Sequence, residues 1–201
     1  MKSNLKHQSN DPNCKGVEIL SIGTELLLGN IVNTNAQWIS EELSTLGLNH
    51  FRQSTIGDNS ERIIKLIKEI SLRSNLLITT GGLGPTPDDL TTEAIAKSFN
   101  ATLSEREYLW DQIKKKLSIS GSTFNRSSLK KQCFFPKDAQ IINNPRGTAP
   151  GMIWKPIEGF TILTFPGVPS EMKEMWKETA VNYIKNNFSD GYIFFSNTLK
   201  F

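Results

Sequence analysis

A glycine-rich loop that ends in two aspartates is the strongest chemical signal in the sequence. It reads TTGGLGPTPDDLTT over residues 79–92 and lies between a short apolar run and a helical pattern. Glycines let a backbone approach a ligand closely and turn its N–H groups toward it, and the start of the next helix adds partial positive charge. The loop therefore predicts a phosphate site, with Thr80, Gly81, Gly82 and Gly84 as candidate contacts.

Acidic residues in and near this loop indicate a divalent cation. Asp88 and Asp89 would repel a bare phosphate, so they suit the loop best if Mg²⁺, Mn²⁺ or a similar cation lies between them and the phosphates. Asp58 follows the second predicted strand and Glu25 follows the first, at the same predicted sheet edge. We predict that Asp58, Asp88 and Asp89 bind the metal and that, with Glu25, they form the catalytic group.

The segment after the first predicted strand supplies candidate contacts to a sugar or base. It reads GTELLLGN over residues 23–30, and Gly23 and Thr24 open it at the carboxyl end of the strand. Ligands of open α/β sheets bind at that end. Asn33 and Asn35 follow shortly afterwards and can contact a ribose or a base.

Helix capping is the alternative role for several of these polar residues. Asp89 can cap the helix that follows the glycine loop. Asp58 can cap the helix after the second strand, with Glu61 three residues later as the second member of a capping box. This spacing slightly favours the capping role. For Asn33 and Asn35 capping is also favoured over ligand contact, because asparagine is common at that position.

Two later loops supply further candidate phosphate contacts. The segment NNPRGTAPG (143–151) is stiff and carries one arginine, whose role depends on the loop folding back over the sheet edge. The segment PGVPSEM (166–172) joins the last strand to the last helix, so its N–H groups can bind a second phosphate or a sugar, although its serine is first interpreted as an N-cap. The candidates are Lys131, Arg146, Gly147, Thr148, Pro166, Gly167, Pro169 and Ser170.

Alternating strand and helix patterns place these loops at one edge of a mostly parallel sheet. The alternation is typical of βαβ units and predicts an α/β protein with three layers, α/β/α. A polar helix over 105–119 is a candidate insertion, and the proline-rich stretch 133–156 is interpreted as irregular. Strands are predicted at 17–22, 48–55, 76–79 and 161–165, and the other helices around 36–46, 60–72, 92–99 and 170–186.

Composition excludes several classes of protein. The 201 residues are 37% apolar and 21% charged, and the net charge of +3 is spread along the chain, which argues against nucleic-acid binding. The two cysteines form no CxxC pair, His7 and His50 suggest neither a triad nor a zinc site, and no run reaches the ~20 apolar residues of a membrane span. We therefore expect a cytoplasmic protein that contacts neither membrane nor nucleic acid.

The expected organisation is one main domain between two short flanks. Residues 1–15 are polar and are expected to form a flexible leader, whereas residues 16–188 are expected to fold as a nucleotide-handling domain. Residues 189–201 alternate like a strand that has just begun, and are interpreted as the start of a linker or second region.

Five motifs in this order resemble the CinA family, named for competence- and damage-inducible protein A. The wider superfamily has the molybdopterin-binding, MoaB/MogA-like fold, in which the glycine loop and aspartates matching Asp58 and Asp89 line a site for a phosphorylated pterin or its adenylate. One stretch, 124–130, departs from the family pattern. The motifs are GTELLLG (23–29), NTNA (33–36), TGGLGPTPDD (80–89), GTAPG (147–151) and PGVPSEM (166–172).

The resemblance implies an activity and a state of assembly. It implies hydrolysis of ADP-ribose to AMP and ribose 5-phosphate with a divalent metal, by a homo-oligomer. Family members usually also carry a carboxy-terminal amidase domain that acts on nicotinamide mononucleotide, an activity not expected from this chain. The leading hypothesis is metal-dependent hydrolysis of a nucleotide pyrophosphate; the alternatives are a non-catalytic pterin- or nucleotide-binding module and a molybdenum-cofactor adenylyltransferase.

Overall fold

One mixed six-stranded sheet lies at the centre of the computed structural model, which describes residues 16–48, 50–120 and 126–188. The strands of this sheet are β1 (Gly16–Ile22), β2 (His50–Ile56), β3 (Ser74–Thr80), β6 (Gln140–Ile142), β7 (Gly151–Ile157) and β8 (Phe160–Phe165). Their order is β2-β1-β3-β8-β7-β6, and β2, β1, β3 and β8 are parallel. The predicted mostly parallel sheet is thus confirmed.

Helices cover both faces of the sheet, and each face has its own apolar core. They are α1 (Thr24–Leu27), α2 (Thr34–Thr45), α3 (Ser60–Arg73), α4 (Thr91–Ser98), α5 (Glu107–Ser120), α6 (Arg126–Lys130), α7 (Pro169–Met175) and α8 (Val181–Phe188). The cores contain α3 to α6 on one side and α2, α7 and α8 on the other, so the three predicted layers are present. None of the helices in the described residues is long and apolar enough to cross a membrane.

The stretch predicted to be irregular contains three strands, so that prediction is wrong. Besides β6 and β7, it contains β5 (Phe134–Pro136), which pairs antiparallel with β4 (Leu103–Glu105) in a separate small sheet. One of the prolines of this stretch, Pro156, lies in β7 where the register to β8 shifts between Trp154 and Ile157. Such an irregularity tolerates a residue without an N–H donor.

Local structure departs from the prediction at two other places. The segment after β1 begins with the one-turn helix α1, where a loop was expected. The last helix contains a π-helical turn over Trp176–Ala180 between α7 and α8, and this turn places the fully buried Trp176 edge-to-face against Trp38 at 5.8 Å. The expectations for 1–15 and 189–201, and part of the departing stretch 124–130, lie outside the described residues.

A buried ion pair joins β1 to the end of α3. Glu18 is only 4% exposed and accepts hydrogen bonds from Arg73 Nε (2.7 Å), Arg73 Nη2 (2.8 Å) and Ser74 Oγ (2.6 Å). Burial raises the pKa of Glu18, but the hydrogen bonds from Arg73 and Ser74 and the charge of Arg73 outweigh it and hold the pKa below its usual value.

We expect Glu18→Gln to lower the free energy of unfolding by about 2–3 kcal/mol at pH 7, because it leaves Arg73 without its counter-ion at a half-buried site. Since the folded-state pKa lies below the unfolded one, the pair contributes fully above about pH 4.3 and loses its contribution as the pH falls through the folded value. In urea unfolding, the difference in stability between the two proteins should therefore narrow as the pH is lowered from 7 towards 3. The control Glu158→Gln, in the exposed β7–β8 turn, should match the wild type throughout.

Gly81 brings the glycine loop into contact with the end of β1. It has φ +101°, and a Cβ there would lie 2.0 Å from the carbonyl oxygen of Ile22. Gly29 also has positive φ, +71°, but a Cβ there would meet nothing within 4 Å. At Gly81 a side chain is disfavoured both by the positive φ and by the lack of space. At Gly29 it is disfavoured by the positive φ alone.

Gly81→Ala should therefore destabilise the protein by at least about 2 kcal/mol more than Gly29→Ala, because only the first change forces two backbone segments apart. Thermal unfolding of the two variants beside the wild type measures the difference. Equal losses at the two positions would show that the contact with Ile22 is unimportant.

Candidate functional site

The candidate site lies where the carboxyl ends of β1, β3 and β8 meet. The parallel register sets Ser21 beside Thr80 and Thr80 beside Phe165, so the three following loops leave the sheet together. They surround a cavity of about 580 Å³. Of the predicted site residues, those lining this central cavity are Gly23, Glu25, Asp58, Gly81, Gly82, Gly84, Asp88, Asp89, Thr148, Pro166 and Gly167.

The glycine loop is anchored at its base and open at its top. Gly81 N donates a hydrogen bond to the carbonyl of Phe165 at 3.0 Å. Thr91 donates two hydrogen bonds to the loop, from its Oγ1 to Gly81 O (2.8 Å) and from its N to Gly82 O (3.1 Å). The N–H groups of Gly82, Leu83 and Gly84 donate to no acceptor in the described part of the chain. They are the groups with which the loop can bind an anion.

Asp89 shapes this loop from within. Its Oδ2 accepts from Thr86 N (2.8 Å) and Thr86 Oγ1 (2.6 Å), and a Cβ on Gly84 would lie 2.6 Å from the same oxygen. The helix that follows begins at Thr91, and its N-cap, Leu90, makes no side-chain capping bond. The alternative of Asp89 as a helix cap is therefore wrong, because its carboxylate turns back into the loop.

Asp58 fastens the β2–α3 loop to the start of α1. Its Oδ2 accepts from Thr24 N and Thr24 Oγ1, both at 2.8 Å, and its own N–H donates to Thr24 Oγ1 at 3.1 Å. The cap of α3 is Asn59, which accepts from Arg62 N. The favoured capping-box interpretation of Asp58 is thus wrong by one residue.

The other carboxylates of the central cavity accept fewer hydrogen bonds from the described residues than Asp58 and Asp89 do. Asp88 is exposed and has no hydrogen-bond partner in the described residues, and the carboxylate of exposed Glu25 lies over Gly23, within 2.5 Å of where a Cβ would be. Glu171, which the sequence did not single out, accepts from Asn144 Nδ2 at 2.7 Å. The lining thus carries five carboxylates and, among described residues, no lysine, arginine or histidine.

These carboxylates do not form a ready-made metal cage. Within residues 16–48, 50–120 and 126–188, no group of three or more His, Cys, Asp or Glu side chains is placed to hold a metal ion. Asp58 and Asp89 each hold one oxygen in the hydrogen bonds described above, and no described donor reaches the other oxygen, Oδ1. The site therefore presents fixed single oxygens rather than a protein-only coordination shell.

The predicted basic residues, Lys131 and Arg146, do not line the central cavity. Lys131 Nζ donates to the carbonyls of Thr86 and, at 2.7 Å, Asp89, while Arg146 pairs with Glu174 on the exposed surface. Lys116 in α5 holds the 143–151 loop in the same way, through the carbonyls of Asn144 and Gly147; burial lowers its pKa, and the nearby charge of Glu171 opposes that shift.

Asn33 and Asn35 have different roles. Asn33 caps α2 by accepting from Ala36 N at 3.1 Å, as favoured from the sequence. The capping role favoured for Asn35 is wrong, because Asn35 lies inside α2. It is buried, and its Nδ2 donates to Thr80 Oγ1 (2.9 Å) and Gly167 O (2.8 Å). Thr80 Oγ1 itself donates to the carbonyl of Pro166, so it must accept from Asn35, and this fixes the amide with Oδ1 buried and unpartnered among the described residues.

A smaller cavity of about 230 Å³ adjoins the central one through Ile22, Glu25, Gly81 and Gly167. The predicted residues that line the smaller cavity but not the central one are Asn33, Asn35, Thr80 and Pro169. The predicted residues that line neither cavity are Thr24, Lys131, Arg146, Gly147 and Ser170. Ser170 is not the N-cap that was expected, because Pro169 occupies the first helical position and Val168 becomes the cap.

Gln132 and Glu171 are cavity residues that the sequence interpretation missed. Gln132 is buried, its Nε2 donates to the carbonyl of Leu83 at 3.0 Å, and its Oε1 has no described partner. Glu171 lies in the first turn of α7, at the same sheet edge as the predicted carboxylates, and that placement was the available signal. Gln132 had none, because it reaches the loop only through tertiary packing.

Covalent catalysis by histidine or cysteine is not favoured by the described residues. His50 begins β2 and therefore lies at the opposite edge of the sheet. Cys133 is completely buried, and burial raises the pKa of its thiol to about 11, which keeps it protonated. What the site offers is unpaired backbone N–H groups, five carboxylates and a cavity of about 580 Å³.

Comparison with known proteins gives a consistent family. The sequence pattern of the family described as "probable molybdopterin binding domain" matches residues 18–186. A CinA-like protein of Prochlorococcus marinus subsp. pastoris is 97% identical over all 201 residues, and one of Synechococcus sp. (strain CC9311) is 56% identical over 186 residues. The chain spans 46% and 44% of the lengths of these two relatives.

Solved structures agree with the fold. The CinA protein of Thermoplasma acidophilum is 34% identical, with a TM-score of 0.77 over 85% of this chain and 98% of that one. The molybdopterin biosynthesis enzyme MoaB of Thermus thermophilus, at 19% identity and a TM-score of 0.53 over 87% and 98% of the two chains, shares the fold alone. The chain belongs to the molybdopterin-binding domain family and is a CinA-like member of it.

Proposed function

We propose that this chain hydrolyses a nucleotide pyrophosphate with a divalent cation, and that ADP-ribose, cleaved to AMP and ribose 5-phosphate, is its substrate. The observation that carries the proposal is the central cavity, in which uncommitted backbone N–H groups and five carboxylates face the same space without a basic side chain among the described residues. The choice of ADP-ribose follows what the resemblance of the sequence motifs to the CinA family implies.

The charge of the cavity favours phosphate that arrives with a metal. Donors at Gly82 to Gly84 suit phosphate oxygens, but a bare pyrophosphate would be repelled by the surrounding carboxylates. Mg²⁺ is usually held by one or two carboxylates together with substrate phosphates and waters, and so needs no cage made by the protein alone. Asp88, with its free carboxylate, and Asp58 and Asp89, with one free oxygen each, fit that requirement.

The chain's own groups then have separate tasks. The N–H groups of the glycine loop bind and orient the phosphates, and the carboxylates nearest to them orient a water molecule for attack. A bound cation would neutralise charge on the phosphates as it develops. The smaller cavity beside Asn35 offers a place for one end of the substrate. Lys131 and Lys116 act as positioning residues, since they hold the two loops by their carbonyls.

Product analysis tests the activity directly. With ADP-ribose and Mg²⁺ or Mn²⁺, the purified chain should release AMP and ribose 5-phosphate in equal amounts, and chelation of the metal should abolish release. Stoichiometric binding without product would instead support the non-catalytic binding module. Formation of an adenylate from ATP and molybdopterin would support the adenylyltransferase.

Two aspartate variants separate chemistry from loop structure. Asp88→Asn should lower metal-dependent turnover by about 10²-fold without changing the melting temperature, because Asp88 is exposed and makes no described hydrogen bond. Asp89→Asn should lower turnover similarly and also lower the melting temperature, because it weakens the bonds to Thr86. Asp138→Asn, in an exposed turn, is the matched control. Full metal-dependent turnover in both site variants would contradict the proposed metal site.

A further inference from the structure

Three consecutive carbonyls of the glycine loop are each held by a hydrogen bond from elsewhere in the chain. Gly81 O accepts from Thr91 Oγ1 at 2.8 Å, and Gly82 O accepts from Thr91 N at 3.1 Å. Leu83 O accepts from Gln132 Nε2 at 3.0 Å. The first two donors thus belong to one residue at the start of α4, whereas the third comes from a buried side chain 49 residues further along the chain.

These bonds also fix the direction of the N–H groups that follow the three carbonyls. A trans peptide group is planar, so its carbonyl and the N–H of the next residue point to opposite sides of the chain. The N–H groups so oriented, each pointing away from the donor that holds the preceding carbonyl, are those of Gly82, Leu83 and Gly84. None of the three donates to an acceptor in the described residues. They form a row of oriented donors, and the donor at its end is oriented through Gln132.

Burial and a fixed amide suit Gln132 to this task. It is 5% exposed, and it lies in a short 3-10 turn that continues directly into β5 of the small sheet. Leu83 O can only accept, so the atom of Gln132 beside it must be the amide nitrogen. The peptide group between Leu83 and Gly84 is therefore already oriented before a ligand binds, which lowers the ordering cost of binding.

Lys131 holds the same loop without orienting a donor toward the central cavity. Its ammonium group binds the carbonyls of Thr86 and Asp89. The residue after the first carbonyl is Pro87, which has no N–H, and the residue after the second is Leu90, which does not line the central cavity. Of these two neighbouring side chains, only the glutamine orients an N–H group of a residue in the lining.

We propose that Gln132 is a positioning residue of the phosphate site: by holding Leu83 O, it directs the N–H of Gly84 to a phosphate oxygen of the ligand. The inference rests on the proposed function and adds the side chain that pre-orients one of its phosphate donors. Gly82, Leu83 and Gly84 all line the central cavity with the carboxylates, so a phosphate bound there meets this row of donors. A donor that is already oriented stabilises charge on the phosphate without reorganisation during the reaction.

Backbone ¹⁵N NMR tests the inference without turnover, in titrations with Mg²⁺ and either AMP or ribose 5-phosphate. In the wild type, at least one of these two products should shift the amide resonances of Gly82 and Gly84 together. Gln132→Met has a side chain of similar length but no N–H donor, so it should remove the shift at Gly84 and leave the shift at Gly82. Thr91→Ala, which removes the hydroxyl bound to Gly81 O, should do the reverse.

Steady-state kinetics should show the same defect in the reaction. Gln132→Met should lower kcat/KM for ADP-ribose with Mg²⁺ by at least about tenfold, because outright removal of one pre-oriented donor costs about 10²- to 10³-fold in comparable sites. The matched control is Gln140→Met, at an exposed position at the start of β6, which should match the wild type in both the kinetics and the titrations.

Three results would overturn the inference: a Gly84 shift that persists in Gln132→Met, equal effects of Gln132→Met and Thr91→Ala on Gly82 and Gly84, or no Gly84 shift in the wild type with either product. Gln132→Asn, whose shorter amide does not reach Leu83 O, replaces Gln132→Met if that variant does not fold. Cleavage of ADP-ribose by Gln132→Met at the wild-type rate would overturn this inference alone. A wild type that shows both amide shifts but never cleaves ADP-ribose would overturn the proposed function alone.

Discussion

The contact between the backbone at Gly81 and the carbonyl of Ile22 is the constraint on which the site depends. The parallel pairing of β1 with β3 brings the ends of these strands together, and only a residue without Cβ can continue past that point. With its base held there and by Thr91, the loop keeps its next N–H groups turned away from the protein's own acceptors. The cavity is thus a consequence of strand register as much as of the loop's composition.

The fold and the position of the site could be predicted because their signals are local. Apolar residues alternate along strands or recur at helical spacing, and a glycine loop between a buried strand and a helix must lie at the carboxyl edge of a parallel sheet. The capping role of Asn33 could also be predicted from local sequence, since capping depends on the three residues that follow the cap. Strand β7 could not be predicted in this way, because its Pro156 is tolerated only at an irregularity in the pairing with β8.

The roles of individual polar side chains depended on tertiary contacts that no spacing reveals. Lys131 and Arg146 looked like phosphate ligands, yet one holds loop carbonyls and the other pairs with Glu174. Asp58 binds Thr24, which lies 34 residues earlier in the chain, and Asn35 reaches Gly167, 132 residues away. Such partners are adjacent only after the sheet has formed, so the sequence could name the polar residues but not what each of them contacts.

The absence of a basic side chain from the described lining of the central cavity has a kinetic consequence. An anion that diffuses toward the site without a cation meets a field of its own sign, and dissolved salt weakens that field beyond about 10 Å at 0.1 M ionic strength. Added salt should then speed the encounter of a free anion with this cavity, whereas it slows encounters with sites that attract anions through lysine and arginine. If the ligand enters with a cation, as proposed, that cation would therefore raise the rate of entry as well as the strength of binding.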